Sequence, residues 1–119
     1  MDMKLEWQDG ILVAWLDGDL DSANSEVIEA EFKQMVERRP KGVLLNFAKA
    51  RYVSSLGIGL IMSLNRDLKN IGAKLRITGV QTAIRLVLDT CNLGSVIPMD
   101  QTMEHAMKML HGKPVAAGV

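Results

Sequence analysis

Two adjacent serines, Ser54 and Ser55, are the residues of this chain whose type and place are best suited to chemistry. They follow the apolar run Val43-Leu44-Leu45-Asn46-Phe47 and a short linker, and they open the helical pattern Ser54-Ser55-Leu56-Gly57-Ile58-Gly59-Leu60. A helix N-terminus carries unpaired backbone N–H groups and about half a positive charge, so it suits a hydroxyl cap or an anion. As a cap, either serine contributes about 1 kcal/mol. As a switch, one of them takes a phosphate, which adds about −1.5 to −2 charge at neutral pH. Gly57 and Gly59 are poor helix formers, by up to about 1 kcal/mol each relative to alanine. They also strip side chains from the first turn and leave backbone that a partner can approach.

Other residues offer less. His105 and His111 are six apart, which does not align them on one helix face, and no cysteine or acid cluster completes a metal site. Cys91 falls on the expected inner face of a helix, with no base beside it, and reads as core. Asp17, Asp19 and Asp21 read as turn residues rather than a cation site. There is no phosphate loop ending in Gly-Lys-Ser/Thr and no complete dinucleotide-binding glycine pattern. Gly94-Ser95 lacks the flanks of a nucleophile elbow. The expectation is a protein without catalytic residues, cofactor site or metal site.

Composition narrows the partners. In 119 residues, 14 basic side chains cancel 14 acidic ones, so no global field draws the chain to nucleic acid or an anionic membrane. Low aromatic content argues against a base-stacking surface. One cysteine excludes an intrachain disulfide and suits a reducing compartment. Apolar runs such as Ile11–Leu16 are far shorter than the ~20 residues a spanning helix needs. With no leader-like segment at the start, the expected location is the cytoplasm.

The elements that must position the serines are legible in outline. Lys4–Gln8 alternates and ends at Asp9-Gly10, a hairpin signal, before the strand from Ile11 to Leu16. Asp17–Asp21 reads as a polar connection, and a helix from about Ser22 or Asn24 ends at Pro40 and Gly42. Val43–Phe47 reads as a strand buried on both faces. The serine-opened helix runs to about Ile71, and Lys74–Thr78 alternates as the next strand. Thr82 is expected to cap a helix whose inner face carries Ile84, Val87, Leu88 and Cys91. Val96–Met99 reads as a short edge strand, and a helix from near Thr102 buries Met103, Ala106, Met107 and Leu110. The order is ββαβαβαβα: an α/β domain over 4–110 with a small mixed sheet packed by helices, followed by a flexible tail over 111–119.

That order, with Gly18-Asp19-Leu20-Asp21, Val53–Leu60, Gly79–Leu88 and Asn92-Leu93-Gly94, resembles the STAS domain of bacterial anti-sigma factor antagonists. The resemblance implies a single STAS-like domain with no enzymatic activity and no cofactor of its own. It implies binding to an anti-sigma factor that is also a serine kinase, freeing a sigma factor for transcription, with a serine phosphatase restoring the hydroxyl. By position Ser55 is the implied phosphorylation site. The family usually carries an aspartate just before that serine, and the corresponding Ser54 is the alternative site. Asp21, Ser54, Ser55, Leu56 and Gly57 are the implied partner face. Two other readings stand beside it: a scaffold of the same fold that is never phosphorylated, and a small nucleotide-binding α/β protein.

Overall fold

The structure, a computed structural model, describes residues 1–112. Five strands form one sheet in the order β1-β2-β3-β4-β5. They are β1 (Asp2–Gln8), β2 (Ile11–Leu20), β3 (Gly42–Val53), β4 (Lys74–Thr78) and β5 (Met99–Asp100). β1 runs antiparallel to β2, and all later neighbours are parallel. The hairpin forms where expected. Gln8 pairs with Ile11, and Asp9 and Gly10 both take positive φ, 51° and 86°, which is the backbone a two-residue hairpin needs.

Parallel neighbours require crossovers, and three helices supply them, α1 (Ser25–Glu37), α2 (Ser55–Asn70) and α3 (Thr82–Thr90), while α4 (Met103–Leu110) follows the last strand. The larger core lies on one face, where Ile28 and Phe32 of α1, Ile61 and Leu64 of α2 and Leu88 of α3 meet Leu45 of β3. On the opposite face Ala106 and Leu110 of α4 cover Ile11, Val13 and Leu44. Val43–Phe47 is buried throughout because helices cover both of its faces, which accounts for its unbroken apolar run. The ββαβαβαβα order and the mixed sheet stand as read from the sequence.

Several boundaries differ, and each has a local cause. Asp17–Asp21 is not a connection: β2 continues to Leu20, pairing with β3 as far as Val53 through two register irregularities. Gly18, at φ 116°, allows the bend between them. A 3-10 turn over Ser22–Asn24 precedes α1, and the Asp21 side chain caps that turn. Gln81, not Thr82, holds the cap position of α3; its amide donates instead to the Ala48 carbonyl at 2.6 Å. Cys91 is exposed rather than core, because α3 ends at Thr90 and Asn92 turns left-handed at φ 57°. The last strand is Met99–Asp100, since a 3-10 turn over Leu93–Ser95 occupies the chain just before Val96. From Lys113 onward the expected tail lies outside the described residues.

Candidate partner-binding site

The serine pair sits where the C-terminal end of β3 turns into α2, beside the end of β2. That end of a parallel sheet is where loops and helix N-termini gather, and α/β sheets use it for recognition. The two serines have different surroundings. Ser54 is the N-cap of α2, half-buried, with extended backbone at φ −89° and ψ 171°. Its Oγ accepts from the Gly57 N–H at 3.2 Å and donates to the Leu20 carbonyl at 3.2 Å. Its own N–H also donates to the Leu20 carbonyl, at 2.9 Å. The hydroxyl proton is therefore engaged with β2, and a lone pair with the first turn of α2.

Ser55 is the first residue of α2 and is exposed. Among the described residues its hydroxyl has no hydrogen-bond partner. It stands at the positive end of a 16-residue helix. Leu56, 46% exposed, follows it, and Tyr52, 53% exposed, lies near the end of β3. Both leave apolar area exposed near the end of β3 and the start of α2.

Gly57 acts in a way the sequence did not reveal. It is buried, and a Cβ there would stand 2.5 Å from the Leu20 carbonyl oxygen. Its missing side chain lets the first turn of α2 lie directly on the backbone of β2, so Gly57 serves packing. Of the two glycines in this turn, Gly59 faces open space. Asp21 is half-buried beside this turn, and its carboxylate accepts from the backbone and side-chain N–H groups of Asn24 at 3.2 and 3.1 Å. Asn24 in turn donates to the Asp19 carbonyl at 3.1 Å. Asp21 thus fixes the β2–α1 loop near the end of β2 to which Ser54 is bonded. Among the described residues no group of three or more His, Cys, Asp or Glu side chains could hold a metal, and no helix is long and apolar enough to cross a membrane.

Ser54→Ala removes both side-chain bonds of the cap. The expected loss is about 1–2 kcal/mol of stability, read as a lower urea midpoint, whereas Ser55→Ala leaves the midpoint within about 0.5 kcal/mol of wild type.

One polar cluster escaped sequence reading. The Asp100 carboxylate accepts from Arg76 Nε at 2.7 Å and from Arg76 Nη2 at 2.9 Å, and its Oδ1 lies 2.6 Å from His105 Nδ1. The Asp100 carbonyl accepts from Thr78 Oγ1 at 2.9 Å. The only trace in the sequence is Arg76 set between Leu75 and Ile77, which places it on the other face of β4. Burial pushes the Asp100 carboxyl up, but the hydrogen bonds and charges of Arg76 and His105 outweigh that and hold it below its ordinary value.

Comparison with known proteins agrees with this fold. The chain is 27% identical over 106 residues to BtrV, a candidate anti-sigma factor antagonist of Bordetella bronchiseptica, covering 89% of this chain and 91% of the relative. It shares its fold with the anti-sigma factor antagonist SpoIIAA in unphosphorylated form, at TM-score 0.79 and 23% identity over 93% of this chain and 97% of the other. The Bacillus cell-fate determinant SpoIIAA in phosphorylated form matches at TM-score 0.69 and 23% identity, over 91% and 98%. The model of the STAS domain matches residues 2–106, nearly all of the described chain, and the protein belongs to the STAS domain family.

Proposed function

We propose that this protein is an anti-sigma factor antagonist: a cytoplasmic, non-enzymatic module that binds an anti-sigma factor with serine-kinase activity and is switched at Ser55. The carrying observation is the division of labour between the serines. Ser54 spends its hydroxyl on the cap and on Leu20, while Ser55 presents an exposed hydroxyl at the same helix end. Phosphate on Ser55 meets the positive end of α2, so the domain tolerates it. In an interface the same group must be desolvated, which opposes binding unless the partner supplies cations. Exposed Leu56 and Tyr52 fit a partner surface around that hydroxyl. The relatives named as anti-sigma factor antagonists, one of them solved in a phosphorylated form, favour the same reading. The domain is taken to span 4–110, and a serine phosphatase resets it.

The test has two steps. The full chain is used to capture partners from native lysate, and the native protein is then mapped for phosphoserine by mass spectrometry. The expected result is capture of a kinase-like anti-sigma factor and phosphate on Ser55. Phosphate confined to Ser54 would reverse the assignment within the pair. Failure to capture any anti-sigma factor, together with a nucleotide-induced rise in melting temperature, would favour the nucleotide-binding reading instead.

A further inference from the structure

The two edges of the sheet are not alike. β5 is two residues long and carries almost no free ladder. β1 is seven residues long, contains no proline and pairs with β2 without a register shift. Its outer side therefore presents a straight row of unpaired N–H and C=O groups, the kind of edge that natural sheets usually shorten, bend or cover. Trp7 on this strand is 47% exposed, although Met3 and Leu5 of the same face pack against the core.

We propose that β1 pairs antiparallel with β1 of a second copy of this chain, joining two five-stranded sheets into one. Charge selects the register. Two-fold pairing within one sheet opposes residues of the same parity. When Leu5 faces Leu5, Lys4 faces Glu6 twice, Met3 faces Trp7 twice and Asp2 faces Gln8 twice, so all seven residues are used. A shift that sets Lys4 on Lys4 also sets Asp2 on Glu6, two kinds of like-charge contact. A further shift opposes Asp2 and Lys4 but leaves Glu6, Trp7 and Gln8 outside the paired strand.

The apolar pairs agree with the charged ones. Met3, the residue opposite the second copy's Trp7, lines a cleft of about 200 Å³ between β1 and α1, together with Met1, Val27 and Ile28 and the acidic Asp2 and Glu31. Val27 is 59% exposed. Each copy thus offers a recess with four apolar side chains in its lining beside the position that receives the other's exposed indole, and the contact covers Trp7 and Val27, which the single chain leaves open at this edge.

The experiment is sedimentation velocity on the full chain over a concentration series, for wild type, Lys4→Glu, Glu6→Lys and the double exchange. All substituted positions are exposed, so the variants should fold, and circular dichroism verifies it. Wild type is expected to be a reversible dimer. Each single change turns two attractive pairs into two repulsive ones and weakens the dimer roughly tenfold or more, and the double exchange restores it. A wild-type chain that stays monomeric up to about 1 mM overturns the proposal. So does a dimer that ignores the single changes, or one that the double exchange fails to restore.

Discussion

Ser55→Glu is expected to weaken binding of the anti-sigma factor at least about a hundredfold, near 3 kcal/mol, while Ser55→Ala stays within about threefold of wild type. The difference follows from where residue 55 sits. It is exposed and at the first position of α2, so neither change disturbs the core, and a carboxylate there is favoured by the helix dipole by about 0.3–1 kcal/mol. The fold should therefore gain slightly in stability from the change that destroys binding. On the proposed reading, loss of binding comes from the interface, where a charge next to exposed Leu56 must give up its water. Isothermal titration of the three proteins against the captured partner measures the affinities, and thermal melts measure the fold. Equal affinities for all three would leave Ser55 without a switching role and put the unphosphorylated scaffold ahead. Phosphate carries more charge than glutamate, so the phosphorylated chain should bind more weakly still.

Arg76→Leu is expected to destabilise the domain by about 3 kcal/mol, because it removes both guanidinium bonds of a buried carboxylate and leaves it only His105. The side chain of Asp100 is 2% exposed and that of Arg76 is 15% exposed. The pair, with the Thr78 bond, ties a two-residue strand to β4 and holds the chain entering α4. Asp100→Asn should lose less than Arg76→Leu, since an amide oxygen can still accept one guanidinium N–H. Replacing both partners by leucine should recover much of the loss, because the desolvation of two charges disappears with their attraction. Urea titrations of the four proteins make the comparison.

The same cluster fixes the sign of a pH effect. The folded Asp100 carboxyl lies below its ordinary value of 3.8, so its contribution is fully present above that value and is lost as pH falls through the lower folded one. The stability gap between wild type and Asp100→Asn should hold from neutral pH down to about 4 and close below it. A gap that instead closes between pH 5 and 7 would contradict the assignment.

The sequence by itself determined the element order, the hairpin and the place of the serine pair. These are local matters: alternation in Lys4–Gln8, Asp9-Gly10 between two strands, an apolar run at Val43–Phe47 and hydroxyls before a helical pattern each report on neighbours in the chain. Alternation was also enough to place Arg76 on the opposite face from Leu75 and Ile77. Tertiary structure decided what depended on distant backbone. Polar Asp17–Leu20 became strand because β3 ran alongside to pair with it. Ser54 became the cap because the Leu20 carbonyl, 34 residues earlier, accepts its hydroxyl, and that left Ser55 free at the surface. Gly57 is needed because the same carbonyl stands where its side chain would go. Asp100 gained its partners from β4 and α4, 24 residues before it and five after, and nothing in a linear reading of charge marks such a meeting. A hydroxyl or carboxylate announces its capacity in the sequence, but which partner satisfies it is settled only when folding brings that partner within about 3 Å.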